Sequence, residues 1–173
     1  NVLITGASGG LGKLTTKHFA DNGWNVIATM ISLDLAEDLE GYPNVKCYQL
    51  DVTSTENIEE AKSRILKDFT TIDVIINNAG LANRAEALDH DDELWDQTIE
   101  IDLTAPFILS REIGKGMAKR GYGKIIFIAS MWSFLGGKNV ISYTAAKTAL
   151  AGLTRGLSNE LLPKGITVNA IAP

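Results

Sequence analysis

The stretch Val2-Leu-Ile-Thr-Gly-Ala-Ser-Gly-Gly-Leu-Gly12 joins a short apolar strand to a helix through a glycine-rich turn. Glycine lacks a Cβ atom, so the backbone can approach a pyrophosphate closely, and the following helix offers N–H donors at its amino end. The spacing of Gly6, Gly10 and Gly12 differs from the common G-x-G-x-x-G motif. A tight turn that needs positive φ is the alternative interpretation. The strand–turn–helix context favours phosphate binding.

Six apolar runs alternate with helical patterns along the rest of the chain. The predicted strands cover residues 2–4, 26–29, 45–50, 73–76, 125–129 and 166–171. Predicted helices follow the glycine turn as far as Asn22–Gly23, and then cover 31–42, a segment behind a capping box at Thr53 and Glu56, 92–119 and 143–162. The strands are apolar throughout, which is typical of a parallel sheet with helices on both faces. The sequence therefore predicts an α/β doubly wound Rossmann fold, in a single domain over residues 1–173.

Two helical details are also predicted. Apolar spacing in the first helix places Leu11, Leu14, His18 and Phe19 on one side. Proline lacks an N–H and disfavours helix at the preceding residue, so Pro106 should break or kink the 92–119 helix at Ala105.

Charge and composition limit the classes of partner. The net charge is −5 with the two signs interspersed, which gives no basic footprint for nucleic acid. No apolar run approaches the roughly 18 residues of a membrane span. The single cysteine, Cys47, excludes a disulfide within the chain and a cysteine-based metal site, and we predict no metal. The chain opens directly on a strand without a signal peptide, so we expect a cytoplasmic protein.

The polar and glycine-containing motifs follow the ends of predicted strands. The glycine turn follows the first strand, Asp51–Val52 the third, Asn77–Gly80 the fourth, Ser130 the fifth and Pro173 the sixth. Ligands of doubly wound sheets bind outside the carboxyl ends of the strands, so these motifs should meet at one site. Asn77–Gly80 fits a simple polar turn and a wall of a dinucleotide site equally well.

Tyr143 and Lys147 are four residues apart on a predicted helix and therefore share a face. A lysine ammonium beside a phenol favours the phenolate, and such a tyrosine can transfer protons near neutral pH. Alone, the pattern is weak and favours an amphipathic tyrosine beside a surface lysine.

In this order, Thr5-Gly-x-x-x-Gly-x-Gly12, Asn77-Asn-Ala-Gly80, Ser130 and Tyr143-x-x-x-Lys147 closely resemble the short-chain dehydrogenase/reductase family, over essentially the whole chain. The resemblance implies hydride transfer between nicotinamide and a secondary alcohol or ketone. It implies that Tyr143 is the general acid/base, that Lys147 holds the nicotinamide ribose, and that Ser130 hydrogen-bonds the substrate oxygen. The residues implied to bind the cofactor are Gly6, Ser8, Gly10, Leu11, Gly12, Asp51, Val52, Asn78, Ala79, Gly80, Tyr143, Lys147 and Pro173.

The chain departs from the family pattern at Asp102, where members usually have an asparagine that holds a water in a proton relay to the lysine. We include Asp102 in the catalytic set. Its carboxylate adds negative charge near Lys147, so it either holds the water, slows the relay or only shapes a helix kink.

Family members usually continue past the position of Pro173. We therefore expect a chain truncated at its carboxyl end, without the substrate loop and last strand. The resemblance also implies a homo-oligomer, a dimer or tetramer, formed through the helices around 103–120 and 144–162.

The sequence contains few residues that distinguish an NAD site from an NADP site. NAD binders tend to have an acidic residue after the second strand, where this chain has Met30-Ile-Ser32 and then Asp34. The glycine turn contains no basic residue for a 2′-phosphate. NAD or NADP fits, with a lean to NAD.

The segments 78–84, 128–137 and 142–147 look most like sugar-acid members, such as 2-deoxy-gluconate 3-dehydrogenases and gluconate 5-dehydrogenases. Arg84 is either a partner for a substrate carboxylate or a solvated charge in a loop. The side chains of Met131, Trp132 and Phe134 form either pocket walls or part of the core. The alternatives are a 3-oxoacyl-thioester reductase and a non-catalytic dinucleotide-binding sensor or scaffold.

Overall fold

The computed structural model describes residues 1–39 and 41–173 and is built on a six-stranded parallel sheet. The strands lie in the order β3-β2-β1-β4-β5-β6, and each neighbouring pair is parallel. Their bounds are β1 Val2–Ile4, β2 Val26–Met30, β3 Val45–Gln49, β4 Val74–Asn77, β5 Gly123–Ile128 and β6 Ile166–Ile171. The strand order reverses between β1 and β4, which leaves a crevice at their carboxyl ends. The predicted doubly wound Rossmann fold is confirmed.

Five α-helices connect the strands: α1 Gly10–Asp21, α2 Thr55–Asp68, α3 Asp92–Ile99, α4 Ala105–Arg120 and α5 Ile141–Leu161. The helix predicted over 31–42 is not an α-helix. Two short 3₁₀ turns, Leu33–Leu35 and Glu37–Leu39, take its place, and Glu40 lies outside the described residues. The Ser32 hydroxyl accepts the N–H of Asp34 and so starts the first of these turns.

The sheet separates two apolar layers. Helices α2, α4 and α5 cover one face and bury residues such as Ile65, Met117 and Leu150 there. On the other face, α1 and the 3₁₀ turns cover β1, β2 and β4. On that second face, β5 and β6 are less covered, and Lys124 and Ile171 are exposed. On this face, helices and turns thus cover β1, β2 and β4 more completely than β5 and β6.

The two leucines that apolar spacing places on one side of α1 do not pack on the sheet. Gly12, Thr16 and Ala20 are buried, whereas Leu11 and Leu14 are 49% and 68% exposed. The helix starts directly at the glycine turn and lies close to the sheet, so only small side chains fit beneath it. Apolar spacing identified the helix but not the face that packs.

The capping box predicted at Thr53 and Glu56 is also wrong. Ser54 caps α2, because its hydroxyl accepts the N–H of Asn57 at 3.2 Å. Thr53 instead donates its N–H and hydroxyl to Asp51 Oδ1, at 2.9 and 2.7 Å. These bonds fold the chain sharply after β3.

The region around Pro106 is helical throughout. A π turn, Glu100–Thr104, joins α3 to α4, and Ala105 keeps helical angles of φ −60° and ψ −48°. The extra residue of a π turn accommodates the missing N–H of Pro106 without a break, so the expected loss of helix at Ala105 does not occur. The turn places Asp102 in the interior, where it is 0% exposed.

Candidate active site

A cleft of about 560 Å³ opens at the carboxyl edge of the sheet, a volume in the usual range for small-molecule sites. Residues from the glycine turn, the ends of β2 to β5, the π turn and α5 line it. The lining includes twelve of the predicted cofactor-binding residues: Gly6, Ser8, Gly10, Leu11, Gly12, Asp51, Val52, Asn78, Ala79, Gly80, Tyr143 and Lys147. The fold therefore brings together motifs from four separate parts of the sequence.

The glycine turn is as tight as the sequence suggested. Gly6 has φ +63°, and a Cβ atom on Gly12 would lie 2.2 Å from the Gly6 carbonyl oxygen. A Cβ on Gly10 would meet no atom within 4 Å. Gly9 precedes α1 without a side-chain cap, and the first turn of α1 contains no acid. The amino end of α1 thus presents bare backbone to the cleft, which fits a bound pyrophosphate.

Thr5 and Asn78 clamp this turn to the end of β4. The Thr5 hydroxyl oxygen accepts the N–H groups of Asn78 and Ala79 at 3.0 and 2.9 Å. The Asn78 side-chain amide donates to the carbonyl oxygens of Thr5 and Gly6 at 2.8 and 3.3 Å. The amide nitrogen of Asn78 therefore holds the turn, although the residue also lines the cleft.

The cleft wall after β2 and β3 is apolar and acidic. Met30 and Ile31 line it from β2, and Leu50 and Asp51 line it from β3. Asp34 contacts the Ser32 hydroxyl at 3.1 Å beyond this wall. Lys13, the basic residue that follows the glycine turn, is paired with Asp38.

Tyr143 and Lys147 meet at the other end of the cleft. Lys147 Nζ lies 5.3 Å from the centre of the Tyr143 ring. The ammonium donates to the Ile128 carbonyl oxygen at 2.9 Å and pairs with Asp102 Oδ1 at 2.8 Å. Both residues line the cleft, so the structure places the pair away from the solvated outer surface.

Asp102 lies beneath this pair. Its Oδ2 accepts the N–H of Leu81 at 3.0 Å, which ties the π turn to the segment after β4. Burial raises the pKa of Asp102, and the Lys147 ammonium opposes that shift. A Cβ atom on Gly80 would lie 2.7 Å from Asp102 Oδ1, so Gly80 leaves the room that the carboxylate occupies.

Ser130 is 8% exposed at the end of β5 and is not among the residues that line the cleft. Its hydroxyl oxygen accepts the N–H of Trp132 at 3.3 Å and starts the 3₁₀ turn Met131–Ser133. Ser133 donates to the Lys147 carbonyl oxygen at 2.8 Å, which fastens this turn to α5. In the hydrogen bonds found among residues 1–39 and 41–173, this hydroxyl accepts and does not donate.

Several predicted residues lie outside the cleft. Pro173 is exposed after β6, and Arg84 is exposed in the loop after β4. Met131 and Phe134 are 50% and 74% exposed, so core packing is wrong for these two. Trp132 is half-buried and packs against Gly137.

Sequence reasoning missed part of the lining and one clamp. The missed lining residues are Gly9, Met30, Ile31, Leu50, Thr53, Leu81, Ala82, Ile101 and Ile128. Thr5 belongs to the glycine motif, and its position beside Gly6 is the signal from which its role as a clamp could be predicted. The others are mostly apolar and carry no pattern that separates them from core residues.

None of the described helices has the length and apolar character needed to span a membrane. Within residues 1–39 and 41–173, no three His, Cys, Asp or Glu side chains form a group able to hold a metal ion.

Comparison with known proteins places the chain in a family. The model of the family described as short chain dehydrogenase matches residues 1–173. A 2-dehydro-3-deoxy-D-gluconate 5-dehydrogenase of Pseudoalteromonas atlantica is 43% identical, and the match covers 99% of this chain and 70% of that protein. The 3-oxoacyl-(acyl-carrier-protein) reductase FabG of Escherichia coli is 35% identical, with 99% and 71% covered.

Solved structures of dehydrogenases are also similar to this chain. A gluconate 5-dehydrogenase from Burkholderia cenocepacia in complex with NADP and tartrate superposes with a TM-score of 0.93 at 28% identity, covering 99% of this chain and 69% of that one. Other similar structures hold NADP, NADH or NAD⁺. The chain thus spans about 70% of the length of these relatives. With its six-stranded sheet and its match over residues 1–173, this chain belongs to the short chain dehydrogenase family of oxidoreductases.

Proposed function

We propose that the protein is an NAD(P)-dependent oxidoreductase that interconverts a secondary alcohol and a ketone, with Tyr143 as general acid/base. The observation that carries the proposal is one cleft lined both by the bare glycine turn and by the Tyr143–Lys147 pair. A non-catalytic dinucleotide sensor would need the first feature alone.

The proton-transfer end provides the groups that this reaction needs. The Tyr143 phenol takes the hydroxyl proton of the alcohol during oxidation and returns it during reduction. Ser130 donates its remaining proton to the substrate oxygen as negative charge develops there. Lys147, fixed by Ile128 and Asp102, supplies a cation beside the phenol and a donor toward the ribose of the cofactor. Asp102 acts through Lys147 and is therefore a positioning residue.

The glycine turn holds the pyrophosphate of the cofactor in this proposal. The open space above Gly10 and the uncapped amino end of α1 fit that group. When bound, NAD(P) supplies the hydride acceptor or donor of the reaction. Ser8, Leu11, Ala79 and Gly80 line the same wall, and Asp51 and Val52 form the adenosine end. Pro173 is proposed to complete the cofactor site from the end of β6.

We further propose that NAD is preferred over NADP. The adenosine end carries Asp51, Asp34 follows the lining residue Ile31 by three positions, and the cation Lys13 is already paired with Asp38. An added 2′-phosphate would meet negative charge there. Binding measurements by fluorescence should give a Kd for NAD at least roughly tenfold lower than that for NADP, about 1.4 kcal/mol. Tighter binding of NADP would overturn the preference.

The substrate class that we propose is a sugar acid. The 43% identical relative is named for one, and tartrate, itself a hydroxy acid, is bound in a similar structure. The test compares oxidation of 2-dehydro-3-deoxy-D-gluconate and gluconate with reduction of a 3-oxoacyl thioester, using full-length protein and both cofactors. Faster turnover of a sugar acid supports the proposal. Faster turnover of the thioester would favour the function named for FabG.

The proposal also includes a homo-oligomer, a dimer or tetramer, in the cytoplasm, formed by single-domain subunits. Exposed Phe107 on α4, at 39%, offers apolar surface to a partner subunit. Sedimentation of the full-length protein gives the oligomer number.

A further inference from the structure

The buried carboxylate of Asp102 is the negative charge in contact with the proton-transfer end of the cleft. It is 0% exposed, and its Oδ1 lies 2.8 Å from Lys147 Nζ. Lys147 is itself 5% exposed at its side chain, so water screens this pair poorly. The carboxylate and the ammonium together carry no net charge.

The charge of this pair bears directly on Tyr143. The Lys147 ammonium, 5.3 Å from the tyrosine ring, stabilises the phenolate. The Asp102 carboxylate contacts the same ammonium at 2.8 Å, and its negative charge offsets part of that stabilisation. An asparagine of nearly the same shape would keep the contact with Leu81 and leave the lysine charge uncompensated. The chain thus carries a counter-ion that weakens the influence of its own lysine.

We propose that Asp102 is a positioning residue that sets the pH range of proton transfer, by acting as the counter-ion of Lys147. This inference rests on the proposed role of Tyr143. It assigns to Asp102 an effect on the pH at which the tyrosine ionises, separate from any effect on the shape of the helix. The protein is thereby suited to work at higher pH than it would with asparagine at this position.

The other titratable groups around this pair are one imidazole and several acids. His90 Nε2 contacts the Ser142 hydroxyl at 3.0 Å, one residue before Tyr143. From α5, Lys147 contacts the carboxylate, and the segment after β4 contributes the Leu81 N–H. Glu100 shares the π turn and is half-buried. The acids of α3, which packs against the π turn, are exposed: Asp92, Glu93 and Asp96. Screening by water makes these exposed carboxylates much weaker influences on Tyr143 than Asp102.

The test measures ionisation of Tyr143 in full-length protein without cofactor or substrate. Ultraviolet absorbance of tyrosinate is followed against pH, and the same titration of the Tyr143→Phe version of each protein is subtracted. Tyr48 interferes little, because burial and its hydrogen bond to Asp68 raise the pKa of Tyr48. We expect Asp102→Asn to ionise Tyr143 at a pH about 1 unit or more below the wild-type protein.

Asp96→Asn is the matched control, since it removes an exposed carboxylate from α3. It should move the titration by less than about 0.3 pH units. The acid limb of the pH–rate profile should move with the titration in Asp102→Asn. An unchanged or higher ionisation pH in Asp102→Asn would overturn the proposal, whether or not the protein turns over a sugar acid.

A second measurement observes Asp102 in the wild-type protein and needs a variant for signal assignment alone. Isotope-edited NMR of the aspartate carboxyl carbons in the wild-type protein reports whether Asp102 is ionised, with Asp102→Ser used for assignment where it folds. The proposal requires a carboxylate at neutral pH. A protonated Asp102 at neutral pH would overturn it, because a neutral acid is no counter-ion.

Discussion

The two ends of the cleft are held by different kinds of interaction. At the glycine end, uncharged hydrogen bonds from Thr5 and Asn78 fix the backbone around Gly6. At the other end, where we propose that proton transfer takes place, a buried ion pair with Asp102 holds Lys147 beside Tyr143. The first end depends on the absence of side chains, and the second on their charges. Substitutions should therefore act on binding and stability at one end, and on chemistry at the other.

The largest expected effect is at the proton-transfer end. Tyr143→Phe removes the only atom of that residue able to exchange a proton, so turnover should fall at least ~10²-fold. Cofactor affinity should stay within about twofold, because the glycine end is untouched. Rates are measured by nicotinamide absorbance and affinity by fluorescence. Retained turnover would show that Tyr143 is not the acid/base, and lost cofactor affinity would show that the two ends are not separate.

The next largest effect distinguishes two glycines, Gly12 and Gly10, at the glycine end of the cleft. In Gly12→Ala, the added Cβ would lie 2.2 Å from the Gly6 carbonyl oxygen, so the protein should lose about 1–3 kcal/mol of unfolding free energy as well as cofactor affinity. Denaturant unfolding and fluorescence titration measure the two quantities.

Gly10→Ala is the control, because its Cβ would meet no protein atom within 4 Å. It should leave the cofactor-free protein about as stable as wild type while weakening cofactor binding. Equal stability losses in the two variants would contradict the difference in packing between Gly10 and Gly12. Unchanged cofactor affinity in Gly10→Ala would contradict the assignment of the pyrophosphate to this turn.

A smaller effect is expected from Asn78→Ala. This change removes the hydrogen bonds to the Thr5 and Gly6 carbonyl oxygens and should cost about 1 kcal/mol of unfolding free energy, since water from the cleft replaces part of them. Cofactor affinity should fall with it, because the turn loosens. Asn169→Ala, at an exposed position in β6, serves as control. If Asn78→Ala lowered turnover at saturating cofactor but not affinity, the clamp role would be wrong.

The smallest expected effect concerns the pH dependence of stability and comes from a comparison of two buried carboxylates. Asp102 has one cation, whereas Glu112 on α4 contacts Lys62, Arg111 and Lys115 at 3.3, 2.9 and 2.7 Å. These cations, Lys115 foremost, lower the pKa of Glu112 to about 2 from 4.5. A lowered folded-state pKa means that this stabilisation is present above pH 4.5 and is lost as pH falls toward 2.

Unfolding measured between those pH values should show this loss in wild type and a smaller loss in Glu112→Gln. Identical pH dependence of the two proteins would mean that Glu112 is not held by its cations.

The features that could be predicted from the sequence are those set by local backbone conformation. The glycine turn and the parallel sheet follow from residues whose conformational limits are strong, and β6 was predicted with its observed bounds. The buried face of α1 could not be predicted from apolar spacing, because packing against the sheet selects Gly12, Thr16 and Ala20. The π turn at Glu100–Thr104 was also missed, since Pro106 alone does not distinguish a break from an extra residue.

Among the candidate site residues, twelve of the proposed cofactor contacts line one cleft, because their motifs follow strands whose carboxyl ends meet. The Asp102–Lys147 contact could not be read from spacing, because 45 positions separate the two residues along the chain and the π turn brings them together. The same holds for Asn78, whose role as a clamp depends on the exact approach of β4 to the glycine turn.

The most direct test of the account follows the hydride itself. Full-length protein is given NAD and, separately, NADP with sugar acids deuterated at the carbinol carbon, and the nicotinamide product is analysed by mass spectrometry. We expect reduced cofactor that carries one deuterium in wild type, and at least ~10²-fold slower formation of it by Tyr143→Phe. Cofactor that binds but is never reduced by any secondary alcohol, or reduced cofactor without deuterium, would contradict it.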